Sequence, residues 1–272
     1  MTATKALAAI ASPIAEDVRQ GLSAVPKRLP AKLFYDAEGS RLFDEITRTP
    51  EYYPTRTERA ILQANAAEIV RQAGDNLDLV ELGAGNASKT SILVEALSQR
   101  QLRVEFHPID VSATALQEAV ASMHGRFPNL AIRPIVADYS NDLPELRAVR
   151  EQKLVLFIGS TIGNFEPDEA VQFLQRVRRS LNPGDALLLG VDLVKDADIL
   201  HAAYNDAQGV TANFNRNMLA RINRELGGQF DPEAFEHVAF WNPAMSRIEM
   251  HLESRCEQNV LVRDLGRVFH FA

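Results

Sequence analysis

Residues 77–89 read LDLVELGAGNASK, a short apolar run that ends in a glycine-rich turn. Gly83 and Gly85 permit a tight turn and let a ligand come close to the backbone. Helical spacing follows over residues 87–99. A strand, a glycine turn and a helix in this order are typical of an open α/β sheet, in which ligands bind beyond the carboxyl ends of the strands. The segment therefore predicts both a central strand and the place of a binding site.

The alternation of strand and helix continues as far as residue 192. Further apolar runs predict strands at 103–110, 130–137, 153–160 and 186–193, and helical spacing predicts helices at 113–124 and 167–181. Apolar runs separated by helices indicate a parallel sheet that is covered on both faces. After residue 192 a polar helical region at 197–227 precedes strand-like segments with no helices between them. This second part predicts an antiparallel meander in an α+β domain.

The N-terminal part of the chain is predicted to be helical. Residues 1–30 read as one helix with a proline-bounded exit, and residues 38–73 carry helical spacing. The segment PEYYP at 50–54 must interrupt the second stretch, because a proline disfavours helix at the residue before it. Arg56, which follows this break, and Arg216 are interpreted as ion-paired surface residues.

Composition excludes several classes of protein. Lys and Arg number 29 and Asp and Glu 36, so the formal net charge is −7, which argues against binding nucleic acid through charge. The single cysteine, Cys256, cannot form an internal disulfide or a thiolate zinc cluster, and the histidines show no metal-ligand spacing. No apolar run approaches the length of a membrane span. We expect a cytoplasmic protein with no bound metal, no nucleic-acid partner and no membrane association.

Three strand ends carry groups that suit a nucleoside-containing cofactor. Asp110 ends the second strand and can accept from both hydroxyls of a ribose, while Asp138 and Tyr139 end the third and suit an adenine base. A dinucleotide and S-adenosylmethionine both fit this pattern. The dinucleotide motif requires a glycine or an alanine where this chain has Ser88, and Glu81 before the glycines favours S-adenosylmethionine. The alternative is that the glycines only form a turn and Asp110 only caps a helix.

The fourth strand end, GSTIGNF at 159–165, would lie beside the reactive group of such a cofactor. Asn164 offers a carbonyl acceptor and an amide donor, which suit an amine or an amino-acid carboxylate. The alternative is a helix-entry loop in which Asn164 bonds its own backbone. Methyl transfer to an amine is an in-line displacement that depends on positioning and needs no strong base.

Six motifs closely resemble the L-histidine Nα-methyltransferases of bacterial and fungal ergothioneine biosynthesis. They are YDAEGSRLFDEITRTPEYYPTR (35–56), ELGAGNASKT (81–90), PIDVS (108–112), FIGSTIGNF (157–165), AYNDAQGVTANFNRN (203–217) and IEMHL (248–252). The resemblance covers nearly the whole chain from Tyr35 onward. It implies an α/β fold, with a Rossmann-like class I methyltransferase sheet and a second α+β domain that binds substrate.

The resemblance also implies a cofactor, a substrate and their contacts. S-adenosyl-L-methionine would contact Gly83, Lys89, Asp110, Asp138 and Tyr139, the last being usually phenylalanine in the family. Tyr52, Asn164 and Tyr204 would hold the amino-acid end of L-histidine, and Tyr35 would lie near the amine. Asn164 and Tyr35 are therefore the catalytic candidates.

The resemblance assigns a role to each of three segments. Residues 1–60 form a helical segment that contributes to the substrate site, 61–195 bind the cofactor, and 196–272 bind substrate. Family members continue past the position of Ala272 with an imidazole-binding segment and the last strands of the sheet. We therefore expect a truncated or shortened member, less stable than a longer and monomeric relative. Two alternatives follow: a relative that binds the cofactor without turnover, or one that methylates the α-amine of another amino acid.

Overall fold

The computed structural model describes residues 12–139, 143–149 and 152–272. Its α-helices are α1 Ala15–Ser23, α2 Ala37–Ile46, α3 Pro54–Ala73, α4 Thr90–Ser98, α5 Ala113–Arg126, α6 Pro144–Ala148, α7 Pro167–Ser180, α8 Ala197–Tyr204 and α9 Val210–Leu226. Its strands are β1 Asp78–Leu82, β2 Glu105–Asp110, β3 Ala131–Ile132, β4 Ile135–Val136, β5 Lys153–Phe157, β6 Ala186–Leu189, β7 Phe235–Asn242, β8 Arg247–Ser254, β9 Gln258–Val262 and β10 Arg267–Phe271. The first part of the helix predicted at 1–30 lies outside the described residues.

The central sheet is parallel, as the sequence predicts, and has the order β3-β2-β1-β5-β6, with β4 also paired to β2. From β1 the chain first adds strands on one side of the sheet and then, at β5, on the other. In open α/β sheets a ligand binds at the point where the strand order reverses. The carboxyl ends of β1 and β5 are therefore the place to look for a site.

Burial explains why the central strands read as continuous apolar runs. Every residue of β1, β2 and β5 is buried. Successive side chains of a strand point to opposite faces, so Leu79 packs in a core with residues of α3, α4 and α5, whereas Val80 packs with residues of α6 and α7. The sheet is thus covered by helices on both faces, which confirms the predicted α/β class.

The third predicted strand, 130–137, is divided in the structure. Its two parts, β3 and β4, each pair with β2, and the break falls at Arg133 and Pro134. Proline has no backbone N–H to donate to a ladder. At the other end of the sheet, no strand in the described residues pairs with the outer side of β6. The segment after β6 leaves Val191, Leu193 and Val194 52%, 70% and 66% exposed.

The antiparallel part of the structure is two pairs of strands rather than the continuous meander that the sequence predicts. β7 pairs with β8, and β9 pairs antiparallel with β10. On its other side β9 meets the segment after α9, where Gln229 N donates to Leu261 O at 3.0 Å and Gly228 bridges Val262. Both edges of β9 are therefore occupied, which leaves none for β8.

The described residues divide into two compact units. The first comprises the chain up to Phe34 together with Ala212–Val238 and Met250–Ala272, and its core includes Val18, Ile222 and Val262. The second comprises Tyr35–Thr211 and Ala239–Glu249 and contains the whole parallel sheet. The predicted division at residues 60 and 195 concerns which segments bind cofactor and substrate, and it stays a prediction.

Neither a membrane-crossing helix nor a metal centre is found in the parts of the chain that the structure describes. None of the helices there is both long and apolar enough to cross a membrane. The same residues contain no group of three or more His, Cys, Asp or Glu side chains that could hold a metal ion. Cys256 is an exposed free thiol.

A buried ion pair ties the start of β5 to the turn before β6. Lys153 Nζ lies 2.6 Å from Asp185 Oδ2, and the two side chains are 0% and 2% exposed. Asp185 also accepts from the backbone amides of Lys153, at 3.0 Å, and Asn182, at 2.7 Å. Burial alone would raise the pKa of Asp185, but these hydrogen bonds and the Lys153 charge hold it below its ordinary value.

We expect Asp185→Asn to lower the free energy of unfolding by about 3–5 kcal/mol at pH 7, because it leaves the Lys153 charge buried without a counter-ion. Chemical denaturation monitored by circular dichroism measures the change. The matched control is Asp75→Asn, which breaks the surface pair of Asp75 and Arg100 (2.8 Å; Asp75 side chain 80% exposed) and should cost at most about 1 kcal/mol. Equal losses of stability in the two variants would show that Lys153 and Asp185 do not form a buried ion pair.

Acid should weaken the same pair in the wild type. Because the pKa of Asp185 is lowered on folding, its contribution to stability is present above the unfolded pKa and is lost as the pH falls through the folded pKa. The difference in stability between Asp185→Asn and the wild type should therefore shrink in that acid range. A difference that stays constant down to acid unfolding would count against the ion pair as its cause.

Candidate functional site

The glycine turn after β1 leaves its backbone open at the predicted ligand position. Gly83 and Gly85 have φ values of +75° and +50°, in the left-handed region that favours glycine. A Cβ added at Gly85 would meet nothing within 4 Å, whereas one at Gly83 would lie 3.2 Å from the hydroxyl of Tyr139. The turn and the third strand end are therefore in contact, as the sequence predicts.

Asp110 joins this turn to the end of β2. Its Oδ2 accepts from Gly85 N at 3.0 Å and its Oδ1 from Ser112 N at 2.9 Å. The N-cap of α5 is Ser112, whose hydroxyl accepts from Ala115 N at 3.2 Å, so Asp110 does not serve as the helix cap. Burial raises the pKa of Asp110, and the amide hydrogen bonds oppose that rise. The carboxylate is held in place with capacity left for further donors.

Glu81, the last acidic residue of β1, is 3% exposed, and its Oε2 accepts no hydrogen bond from the described residues. Burial raises the pKa of Glu81 to about 8, although the nearby Thr90 hydroxyl and Lys89 charge act in the opposite direction. The charges of Asp110 and Glu58 raise it further. An acid in this state is ready to receive a cationic group, which would stabilise its ionised form.

Tyr139 lies against the sheet, and Asp138 precedes it. The Tyr139 ring makes edge contacts with Phe157 and Phe173, with centroids 5.8 and 6.3 Å apart. Burial raises the pKa of the Tyr139 phenol well above its ordinary value, so the hydroxyl stays neutral. Asp138 is half-buried beside it. The structure thus holds the Tyr139 ring in place next to an acid, and the adenine-binding role of the pair stays a prediction.

The predicted amino-acid-binding tyrosines form one chain of aromatic rings within the second unit. Tyr35 contacts Phe43 (5.9 Å between centroids), Phe43 contacts Tyr52 (6.2 Å), and Tyr52 contacts Tyr204 (6.0 Å). Burial raises the pKa of Tyr204 to about 12 and raises those of Tyr35 and Tyr52 further. All three are therefore neutral phenols at ordinary pH, which can donate to a carboxylate but cannot act as phenolate bases.

Arg56 fixes the loop that carries Tyr52. Its guanidinium donates to Thr49 O at 2.8 Å and Pro50 O at 2.6 Å. Arg216, in the first unit, likewise donates to a backbone carbonyl, that of Phe235, at 3.0 Å. Arg56 is at the surface as expected, but within the described residues neither arginine forms an ion pair, so that part of the interpretation is wrong. A carbonyl partner leaves no mark in the sequence, so charge patterning could not find it.

Asn164 ends the 3-10 turn Thr161–Asn164, and its side chain is exposed. Gly159 and Ser160 before the turn both have left-handed backbones, with φ of +82° and +56°. Among the described residues, the Asn164 side chain has no hydrogen-bond partner, neither its own backbone nor the tyrosines. Its amide is therefore available to a ligand, and the reading in which it only bonds its own backbone is not what the structure shows.

Two polar groups at the strand ends were not predicted as site residues. Lys195 Nζ donates to Tyr53 Oη at 2.8 Å and to Asp192 Oδ1 at 2.6 Å, while Asp192 N donates to Ser160 Oγ at 3.0 Å. The second group centres on Glu58, which is bonded to Lys89 and to the Gly159 amide. The sequence gives one signal for Asp192, its place near the end of the strand predicted at 186–193, and none for Glu58 on α3.

These residues fit S-adenosylmethionine better than a dinucleotide. Asp110 can accept from a ribose, and the Gly85 backbone is open to a ligand. Asp110, Glu58 and Lys89 all lie close enough to Glu81 to shift its pKa, and Lys89 is paired with Glu58. Such a cluster favours a ligand that carries an ammonium and a sulfonium and opposes an anionic pyrophosphate.

Comparisons with known proteins agree with this fit. A family model described as histidine-specific methyltransferase, SAM-dependent, matches residues 14–272. A Mycolicibacterium smegmatis protein named histidine N-alpha-methyltransferase is 50% identical over 96% of this chain and 81% of its own length. Ergothioneine biosynthesis protein 1 of Neurospora crassa is 31% identical over 83% of this chain and 28% of its own. A 4-dimethylallyltryptophan N-methyltransferase of Claviceps purpurea is 30% identical over 88% of this chain and 76% of its own length.

The buried Glu81 should make stability depend on pH. Its pKa is about 8 in the folded chain against an ordinary 4.5, so between these values folding takes up a proton and ionisation opposes folding. We expect the stability gain of Glu81→Gln over the wild type to grow by about 1.4 kcal/mol per pH unit from pH 5 to pH 8. Denaturant unfolding at several pH values measures it.

The matched control for that experiment is Glu68→Gln. Glu68 is exposed on α3, and hydrogen bonds from Arg71 and Gln72 lower its pKa. The difference in free energy of unfolding between Glu68→Gln and the wild type should therefore stay constant from pH 5 to pH 8. A Glu81→Gln difference that is equally constant would show that Glu81 is ionised in the folded chain.

Proposed function

The chain belongs to the family of S-adenosylmethionine-dependent, histidine-specific methyltransferases, and on that premise we propose that it methylates the α-amino nitrogen of L-histidine. Three successive transfers would give the trimethylammonium betaine hercynine, a step of ergothioneine biosynthesis. The family membership confirms the resemblance on which the sequence analysis relied. We further propose a cytoplasmic enzyme that acts on this small molecule without nucleic acid and is a monomer at full length.

The observation that carries the proposal is the chain of rings joining Tyr35, Tyr52 and Tyr204 in the unit that also holds the acidic strand ends. Neutral, buried phenols can hold an amino acid by its carboxylate without adding charge around its amine. The strand ends supply the complementary part, a set of acids suited to a cationic cofactor. On this proposal the methyl donor would lie by the acids and the amino acid by the phenols.

S-adenosylmethionine, when bound, supplies an electrophilic methyl group on its sulfonium. We assign its contacts to Gly83, Lys89, Asp110, Asp138 and Tyr139. Asp110, held by the Gly85 amide, would accept from the ribose, and the anchored Tyr139 ring would lie against the adenine. Residues 61–195 thereby form the cofactor-binding segment, with 1–60 and 196–272 contributing to the substrate site.

The amino acid is assigned to the tyrosines and to Asn164. Tyr52 and Tyr204, whose hydroxyls are hydrogen-bonded to each other, would hold its carboxylate as a pair, and Asn164 would use its unpaired amide on the amino-acid end. Tyr35, a neutral phenol, would orient the amine by accepting an N–H rather than by removing a proton. The amine's proton leaves to solvent, and methylation stops when the nitrogen has no lone pair.

A second candidate substrate is the α-amine of a different amino acid. It is favoured by the similarity to the Claviceps purpurea relative, whose name refers to a tryptophan derivative. The groups assigned above recognise the amino-acid end, which histidine and tryptophan share. A panel of amino acids offered at equal concentration therefore separates the two candidates.

We expect mass spectrometry of L-histidine incubated with the chain and S-adenosylmethionine to show products with one, two and three added methyl groups. Asn164→Ala should lower kcat/KM by about 10- to 100-fold, since it removes a positioned hydrogen-bonding group, while S-adenosylhomocysteine binding stays within about twofold. The control is Asn129→Ala, an exposed asparagine in the turn before β3. Cofactor binding without methylation of any amino acid would identify a non-catalytic relative instead.

A further inference from the structure

Glu58 extends from α3 to the carboxyl end of β5. Both of its carboxylate oxygens accept from Gly159 N, at 2.8 and 2.9 Å, and Oε2 also accepts from Lys89 Nζ. The Glu58 and Lys89 side chains are only 17% and 18% exposed. A partly buried pair that also receives a backbone hydrogen bond is held in one geometry, unlike an exposed surface pair.

Two glycines make room for the Glu58 carboxylate and its lysine partner. A Cβ added at Gly190, just after β6, would lie 2.1 Å from Glu58 Oε1, so the absence of a side chain there admits the carboxylate. A Cβ at Gly159 would lie 3.3 Å from Lys89 Nζ. The carboxylate thus occupies a space formed by the ends of β5 and β6 and by the helix start after the glycine turn.

Through these bonds one side chain joins two loops with different assigned roles. Lys89 follows the glycine turn and is assigned to the cofactor, whereas Gly159 opens the loop that leads to Asn164, assigned to the substrate. Their only shared partner in the described residues is Glu58. If the carboxylate is removed, Lys89 loses its anchor and the Gly159 amide loses its acceptor.

We propose that Glu58 is a positioning residue of the methyltransferase: it fixes Lys89 for the cofactor through charge and the substrate loop through the Gly159 amide. The inference rests on the proposed function, because that function assigns Lys89 and Asn164 their ligands. The two halves depend on different properties of the side chain. Fixing Lys89 needs a negative charge, whereas holding Gly159 needs only an acceptor oxygen.

Two substitutions separate these halves. Glu58→Gln keeps an acceptor for Gly159 but removes the charge, so we expect the Kd of S-adenosylhomocysteine and the KM of S-adenosylmethionine to rise about tenfold, with kcat within about threefold. Glu58→Ala removes both, so kcat should also fall, and hydrogen exchange of the peptide that contains Gly159 should become faster. Glu68→Gln, on the same helix and exposed, should change neither quantity.

A double-mutant cycle with Lys89 tests whether Glu58 acts through it. Calorimetric titration with S-adenosylhomocysteine needs neither histidine nor turnover. In a Lys89→Met background Glu58→Gln should change the Kd by less than about twofold, because its partner is already absent. Circular dichroism should first show that all variants fold.

Two results would overturn the proposal: the same loss of affinity from Glu58→Gln in the wild-type and Lys89→Met backgrounds, or unchanged Gly159 exchange in Glu58→Ala. Either would reduce Glu58 to a general contributor to stability. A different result would show that the proposed function is wrong. The chain would then bind S-adenosylhomocysteine without methylating histidine, and the cycle and the exchange measurement would still give their answers.

Discussion

Parallel pairing of β1 with both β2 and β5 is the constraint on which the rest of the site depends. Parallel strands bring all their carboxyl ends to one edge, so Glu81, Asp110 and Gly159 become neighbours although they are far apart in the sequence. The strand order reverses at this point, which opens a crevice there. Two cores, one on each face of the sheet, fix the strands that carry these groups.

The same geometry concentrates negative charge. The carboxylates of Asp110 and Glu58 and the ammonium of Lys89 lie close enough to Glu81 to shift its pKa. Burial and the two carboxylate charges raise the pKa of Glu81 to about 8, and Lys89 balances the charge of Glu58. A ligand with an ammonium and a sulfonium relieves this crowding, whereas an anionic one adds to it. Selection of the cofactor is thus in part a property of the strand ends taken together.

The sequence predicted the parallel sheet and the strand-end residues because those signals are local. An apolar run such as 153–157, a glycine with a left-handed backbone and an acid at a strand end are each visible within a few residues. The tyrosines were predicted as site residues only from the family motifs, because a tyrosine without that context is equally typical of a half-buried core. Glu58 could not be found in this way, since its partner Gly159 lies 101 residues further along the chain. The prediction of a continuous meander was wrong for the same reason. The segment at 228–229 pairs with an edge of β9, and this contact between distant parts of the chain leaves no local signal.

Repeated methylation of one nitrogen places a further demand on the substrate side. The acceptor begins as an amine with N–H groups and ends as a fixed cation with none. A carboxylate beside it would bind the cation ever more tightly and slow release. Phenols that stay neutral because they are buried, as Tyr35, Tyr52 and Tyr204 do, avoid that penalty, and their rings still offer a favourable face to a trimethylammonium group. On the proposed function, phenols that stay neutral around the amine let one site accept histidine and its mono- and dimethylated forms and release the trimethylated product.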